Sequence, residues 1–331
     1  MKKNSDVSGI VLLAKQSGLT SFSSLYTVKK ALGTSKVGHT GTLDSFAQGL
    51  LVVCVGNITR LASHITAFDK SYEAVIEFGK ETDTLDPTGN VIKTTRLPLL
   101  SELTAALKKF TGNIEQVPPA FSALRVDGER SSDLMRKGQS VELKARPITV
   151  YKSEILEVKT ADAGGVQYAR IRFDVSKGTY IRCLARDIAA ECNSAGYLAG
   201  LIRTKIGLFD LQNAAGYELL DSFTIDSVLK NLNHDVPKEN FDFIVEQVKN
   251  KISNVTPEVA KLCGLPPVFL NEENKSDFYN GRFLKPRMFS SFSFGECAEG
   301  KYSIFLRDMT FAGVVSVVNK RLSYEYVIPL K

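Results

Sequence analysis

The sequence predicts an α+β protein with a large first part and a small β-rich second part. Three observations carry this. At 331 residues the chain is long enough for two domains, or for one large domain with an appendage. Strand-like and helix-like patterns intermingle over residues 1–215. From Pro267 onward the chain turns β-rich, with strand-like runs at residues 302–306, 313–318 and 325–328. Between the two parts lies a helical, acidic stretch. The expected division is therefore 1–215, 216–266 and 267–331.

Taken in order, Gly9-Ile10-Val11-Leu12-Leu13-Ala14 reads as a buried strand. A turn at 15–21 ends in an N-cap. Phe22, Leu25, Val28 and Leu32 then recur at helical spacing, and Gly33 stops the helix. Residues 50–55 are apolar throughout, a second buried strand, and Gly56-Asn57-Ile58-Thr59-Arg60 starts a short helix. Over 69–79, Tyr72, Ala74, Ile76 and Phe78 alternate with Glu73 and Glu77, which predicts a half-buried strand. Residues 79–89 form a polar loop whose threonines and aspartates can satisfy loop backbone donors. Residues 100–110 read as an amphipathic helix with Leu103, Ala106, Leu107 and Phe110 on one face. Strands follow at 148–158 and 166–175 around the turn Ala163-Gly164-Gly165. Gly178-Thr179 then opens a helix with Ile181, Leu184, Ala185 and Ile188 on its apolar face. Residues 223–232 and 241–252 look helical.

Composition excludes several classes. The hydrophobic share of 44% is that of an ordinary globular protein. No window offers the roughly 18 uninterrupted apolar residues of a membrane helix, and the run 10–14 is too short for a signal peptide, so a cytoplasmic protein with no membrane contact is expected. Cys54, Cys183, Cys192, Cys263 and Cys297 are odd in number and scattered, as are His39, His64 and His234. Neither a disulfide framework nor a metal site is expected. The net charge of +6 is unevenly spread. Residues 1–60 hold seven Lys/Arg against Asp6 and Asp44. Residues 170–205 hold seven against Asp174, Asp187 and Glu191. Residues 221–280 hold six basic against ten acidic residues. Positive segments at both ends of the first part suit a polyanionic partner.

The stretch that organises the rest is Gly38-His39-Thr40-Gly41-Thr42-Leu43-Asp44-Ser45-Phe46-Ala47-Gln48-Gly49. Glycines at this density allow positive φ and close approach of another molecule, and a carboxylate on a loop beside a rigid strand is a frequent carrier of function. The segment Gly38-His39-Thr40-Gly41-Thr42-Leu43-Asp44 resembles the catalytic loop of the TruB-type tRNA pseudouridine synthases. Further segments match that family in order: Lys15 with Thr20-Ser21; Lys70-Ser71-Tyr72; Gln116-Val117-Pro118-Pro119 leading to Ser122-Ala123-Leu124-Arg125; Ser176-Lys177-Gly178-Thr179-Tyr180-Ile181-Arg182; and Leu201-Ile202-Arg203-Thr204. The match spans residues 9–205, far more than a single short motif.

The resemblance implies a pseudouridine synthase fold: a mixed, largely antiparallel central sheet flanked by helices, with a small C-terminal PUA-like β domain. It implies isomerisation of uridine-55 in the T-arm of tRNA, on a flipped-out base. Asp44 is the essential carboxylate in this reading. Arg182 is its partner, expected to lower the Asp44 pKa, and Tyr72 lies against the base. His39, Lys15, Lys177, Tyr180, Arg125, Arg130 and Leu201 meet the RNA or support the loops. Residues 120–146 form a basic, thumb-like insertion. No cofactor, metal or guide RNA is implied, and the chain is expected to act as a monomer. Two other readings stand beside it: a non-catalytic RNA-binding or tRNA-folding protein, and a guide-dependent enzyme of the dyskerin type. The basic segment 120–146 argues against the latter, whose members lack that insertion. An unrelated Asp-based hydrolase would need a second catalytic carboxylate or a metal cluster, and neither is placed convincingly.

Overall fold

The computed structural model describes residues 7–329 apart from 123, 127, 138, 140, 142, 233–239 and 291–298, and describes the backbone alone at 125, 126, 130 and 132. His234, Cys297 and the lysines of the N-terminus lie outside the described residues. The chain begins with β1 (Gly9–Lys15), α1 (Ser21–Leu32), β2 (Val37–His39) and β3 (Gln48–Val55). A 3₁₀ turn at Gly56–Leu61 leads to α2 (Ala62–Thr66) and β4 (Lys70–Phe78). Next come β5 (Lys80–Thr82), β6 (Val91–Thr94), α3 (Leu100–Lys109) and β7 (Gly112–Gln116). The basic insertion holds a short ladder, β8 (Arg125–Val126) with β9 (Glu129–Arg130), followed by α4 (Ser131–Arg136). The first part closes with β10 (Arg146–Thr160), β11 (Val166–Val175), α5 (Ile181–Glu191), β12 (Gly196–Ile206) and β13 (Phe209–Asp210).

These strands build one nine-stranded sheet in the order β1-β3-β12-β4-β11-β10-β7, with β2 added to β3 and β13 to β12. All neighbours are antiparallel except β3 and β12, which run parallel through Ile202–Gln48 and Arg203–Gly49. That one parallel junction matters, because it sets the end of β12 beside the start of β3, where the organising loop ends.

The two uninterrupted apolar runs are explained by burial on both faces. On one face of β1 and β3, Val11, Leu13, Leu51 and Val53 pack with Leu25 and Val28 of α1 and with Ile244 and Val248 of α7 (Phe241–Lys251). On the other, Ile10, Leu50, Val52 and Cys54 meet Val255, Val259, Phe305 and Val314. Helix α1 is bounded as its sequence requires. Thr20 Oγ1 accepts from Ser23 N at 3.0 Å, and Gly33 closes the helix at φ 62°. Phe22 departs from the helical-spacing reading: it points to solvent, 72% exposed.

The half-buried reading of β4 is corrected. β4 lies between β12 and β11, and both its faces are covered toward its C-terminal end. Glu77 is buried and accepts the Tyr197 hydroxyl at 2.5 Å; Glu73 pairs with Arg170 and Arg172 at 3.3 and 3.1 Å. Period-two alternation thus marks paired carboxylates rather than a wet face, since buried charges persist where they find partners.

Beyond the sheet, α6 (Ile225–Asn231), the α7 already given and α8 (Pro257–Leu262) precede a second, four-stranded sheet. It runs β14-β15-β16-β17, from β14 (Pro267–Phe269) through β15 (Gly300–Phe305), β16 (Phe311–Val318) and β17 (Arg321–Val327), with α9 (Lys275–Tyr279) after β14. It has its own core around Val268, Phe278, Ile304 and Val315. Among the described residues, no helix is long and apolar enough to cross a membrane.

Candidate active site

The organising loop runs from β2 to β3, and nearly every turn of it is tied down. Thr40 N and Oγ1 both donate to Val52 O, at 2.9 and 3.2 Å. From the β1–α1 turn, Gly18 N donates to Ser45 O at 2.8 Å and Ser17 Oγ to Phe46 O at 2.8 Å. Ser21 clasps Leu43 on both sides: its Oγ accepts from Leu43 N at 2.8 Å and donates to Leu43 O at 3.0 Å. Lys15 is fully buried, with Nζ donating to Ala47 O at 2.6 Å, Gln16 O at 3.0 Å and Ser45 O at 3.4 Å. Lys15 is therefore a loop clamp, and the reading of it as an RNA contact gives way. Its position makes the reason plain: a buried ammonium satisfied by carbonyls has no surface to offer a phosphate.

Arg203 works from the other side. It is 1% exposed, and its Nε donates to Leu50 O at 2.8 Å, Nη2 to Gly41 O at 3.1 Å and Nη1 to Thr42 O at 3.5 Å. One guanidinium thus ties both ends of the loop to β12. Gly49 makes the approach possible. It sits at φ 114°, and a Cβ there would meet Arg203 O and N at 2.4 and 2.6 Å.

Held this way, the loop turns Asp44 toward the first turn of α5. Arg182 Nε lies 3.0 Å from Asp44 Oδ2, and Nη2 donates to Asp44 Oδ1 at 3.2 Å. The remaining nitrogen, Nη1, donates to Thr84 O at 2.9 Å and to Asp86 Oδ2 at 3.4 Å, while Nη2 also reaches Phe121 O at 3.0 Å. Arg182 is buried, with 7% of its side chain exposed, and Asp86 is buried with it, whereas 38% of the Asp44 side chain stays accessible. Asp86 is braced in turn: its Oδ1 accepts from Thr84 Oγ1 at 2.8 Å, Thr88 N at 3.0 Å and Thr88 Oγ1 at 2.6 Å. A buried guanidinium thus holds two carboxylates, and only one of them opens to solvent.

The helix that carries Arg182 starts without a side-chain cap of its own. Gln116 supplies the missing partner from β7. Its Oε1 accepts from Tyr180 N at 2.9 Å and its Nε2 donates to Tyr180 O at 3.1 Å. Gln116 and Tyr180 also line a cleft of about 440 Å³ with Arg146, Lys177, Ser63 and Thr66. Lys177 is exposed at its rim.

Tyr72 is 8% exposed and shares an apolar cluster with Leu43, Ala47 and Leu201 beneath the loop. Its cross-strand partner on β12 is Arg203, and Leu201 pairs with Ala74. Leu201 is therefore a wall residue of that cluster rather than part of the outer surface. His39 ends β2, and its Nδ1 is buried without a hydrogen-bond partner among the described residues. Arg125 and Arg130 lie on the β8–β9 ladder, and their side chains fall outside the described residues.

Electrostatics corrects one expectation. The Asp44 carboxyl is pushed above the ordinary carboxylate range: removal from water raises it more than Arg182 pulls it down, and Asp86 adds to the rise. Burial, then the charge of Arg203, holds His39 below its usual value, so its imidazole is neutral at pH 7. Burial also brings the Lys70 ammonium down to about 8, with Arg203 contributing. Sequence reasoning groups Asp44, Arg182 and Tyr72; the structure sets Arg182 on Asp44 and Tyr72 in the apolar cluster with the neighbouring Leu43. It missed Asp86, Gln116 and Arg203. Gln116 and Arg203 stand inside matched segments and Asp86 in the polar loop 79–89, but nothing in their spacing says what they hold.

Comparison with known proteins bears on this geometry. Residues 29–181 match the family described as TruB family pseudouridylate synthase (N terminal domain). The chain is 42% identical to tRNA pseudouridine synthase B of Treponema denticola, over 83% of this chain and 84% of that one. It is 37% identical to tRNA pseudouridine synthase B of Treponema pallidum, over 96% of each. In fold it is similar to the solved structure of a Cbf5-Nop10-Gar1 complex, with a TM-score of 0.63 at 20% identity over 97% of this chain and 85% of that one.

Proposed function

The chain belongs to the TruB family of pseudouridylate synthases, and we propose that it isomerises uridine-55 in the T-arm of tRNA to pseudouridine, with Asp44 as the essential carboxylate. One observation carries this reading: Arg182 grips Asp44 through two nitrogens while 38% of the Asp44 side chain stays open to solvent. The family assignment and the relatives' name, tRNA pseudouridine synthase B, support the substrate class.

The reaction breaks the C–N glycosidic bond of uridine and joins the same sugar to carbon 5 of the same base. Nothing is oxidised or reduced, so the chemistry asks for a placed carboxylate and for isolation of the detached base. An ionised Asp44 stabilises positive charge at the sugar or adds covalently to the substrate. Arg182 opposes the rise in pKa that burial causes and orients the carboxylate; Asp86 orients Arg182. Tyr72, with Leu43, Ala47 and Leu201 packed around it, offers an apolar wall for the uracil ring. The target base is flipped out of the folded RNA to reach this wall. His39, neutral, stacks on or hydrogen-bonds to nucleotides beside the vacated position. Lys177 and Tyr180, with Arg125 and Arg130 of the 120–146 insertion, take the backbone and bases of the arm. The insertion makes a guide RNA unnecessary, residues 267–331 act as a PUA-like module, and the chain works as a monomer.

The test is tritium release from a [5-³H]uridine-labelled tRNA transcript, with wild type and Asp44→Asn in parallel. Release by wild type alone supports the reading. Tight tRNA binding without release by either protein favours the non-catalytic RNA-binding role.

A further inference from the structure

We propose that the solvent face of α1 is a stacking platform for substrate RNA, formed by Phe22 and Tyr26 with Lys29 beside them. The proposal rests on the RNA-modifying function above and adds to it a surface outside the Asp44–Arg182 site. Phe22, Tyr26 and Lys29 stand at i, i+4 and i+7, one stripe along the helix. Leu25 and Val28, on the flank of the stripe that turns inward, are buried in the core, yet Phe22 is 72% and Tyr26 63% exposed. Neither aromatic is needed to close that core.

The stripe is cationic as well as aromatic. Lys29 Nζ lies 5.0 Å from the Phe22 ring centroid. Tyr26 stacks on Phe241 at 5.4 Å, and Lys30 Nζ sits 4.2 Å from the Phe241 centroid. Lys30 also approaches Asp242 at 3.8 Å, so the far edge of the stripe is partly neutralised and the Phe22 end is the more positive. Rings for bases, interleaved with ammonium groups for phosphates, are what single-stranded nucleic acid requires of a sequence-tolerant surface. A second copy of this chain would bring the same lysines and be repelled.

Position ties the platform to the reaction. Ser21, the residue before Phe22, clasps both backbone groups of Leu43, the residue before Asp44. Chain geometry then keeps the backbones of Phe22 and Asp44 within about 15 Å, a span of a few nucleotides. An RNA strand leaving the flipped uridine therefore reaches the Phe22 ring without a long detour.

The chain contains no tryptophan, so Phe22→Trp introduces a single indole reporter at the platform. Titrating this variant with a tRNA transcript should quench its emission, with a midpoint equal to the binding constant measured by filter retention. Phe22→Ser should raise the Kd for the same transcript about 5-fold or more, the loss of one stacked base. Unchanged emission from a Phe22→Trp protein that binds the transcript and releases tritium, together with an unchanged Kd for Phe22→Ser, overturns the platform and leaves the function standing. Emission that shifts with protein concentration but not with RNA also overturns it and assigns the stripe to contact between copies. Failure of the wild type to bind or turn over tRNA strikes the function itself, and so is told apart from both.

Discussion

Arg182 meets Asp44 side-on, Nε to Oδ2 at 3.0 Å and Nη2 to Oδ1 at 3.2 Å, and spends its third nitrogen on Asp86 at 3.4 Å. The cation that orients the reactive carboxylate is thus itself oriented by a second carboxylate. Two anions around one buried cation leave Asp44 with less than a full counter-charge. Burial then lifts its pKa despite the ion pair.

That rise has a sign that can be checked in stability. A carboxyl with a higher pKa folded than unfolded favours folding while protonated, and the contribution is lost as pH rises through the folded value. Ionised Asp44 therefore gives the fold nothing at pH 7. Asp44→Asn should lower the single-turnover rate by about a thousandfold or more while melting no lower than wild type. Thermal denaturation beside tritium release reads both; a clear drop in the melting temperature would mean that the carboxylate holds the loop rather than waits for substrate.

Asp86 predicts a shift in the pH profile. Its charge raises the Asp44 pKa, so Asp86→Asn should move the acid limb of the rate–pH curve to lower pH, even as the rate itself falls. Asp86→Ala also strips acceptors from Thr84 and Thr88 and leaves Arg182 short of a partner, which should cost about 3 kcal/mol in denaturant unfolding. An acid limb that stays in place in Asp86→Asn would separate Asp86 from Asp44 electrostatically.

The elements that ordinary pattern reading finds best are those whose pattern comes from burial. β1, β3, α3, the β10–β11 hairpin and α5 all lie where apolar runs or spacings predict them. Three things stayed out of reach. The parallel junction of β3 and β12 joins segments some 150 residues apart, and local pattern carries no pairing information. Glu77 looks solvent-facing by alternation but is buried against Tyr197, a partner 120 residues away. Lys15 reads from sequence as a contact to RNA or a support of the loops, and only the fold supplies the carbonyls that let it be buried. The site divides the same way: Asp44, Tyr72 and Arg182 stand in motifs specific enough to single out, while Asp86 and Arg203 act through contacts no spacing encodes.

Arg203 and Gly49 should fail differently. In Gly49→Ala the methyl group collides with backbone rather than with a flexible side chain, at a φ of 114° that L residues avoid. A destabilisation of about 2 kcal/mol or more is expected from denaturant unfolding. Arg203→Lys keeps the buried charge but not the three-pronged grip on Gly41, Thr42 and Leu50. It should fold and lose turnover roughly tenfold or more, because a loop released at both ends no longer holds Asp44 in register. Equal turnover by Arg203→Lys and wild type would show that one anchor at β12 suffices.

Lys70 offers a test of the buried electrostatics apart from catalysis. Its ammonium donates to Thr66 O and Phe68 O at the end of α2, and burial lowers its pKa to about 8. The unfolded chain binds this proton up to its ordinary value near 10.4. Between those limits the unfolded state holds more protons than the folded one, so this group makes stability rise with pH across the window from about 8 to about 10.4. Cys54 and Cys183, pushed up to about 12 by burial, work against it over the same range. The clean measurement is therefore a difference: unfolding free energy of wild type minus that of Lys70→Met, followed from pH 7 to pH 10. Lys70→Met keeps the aliphatic stem and removes the titration. The difference should climb by up to roughly 3 kcal/mol across the window. A flat difference would mean that the ammonium reaches water, and that the neighbouring charge of Arg203 is screened from it.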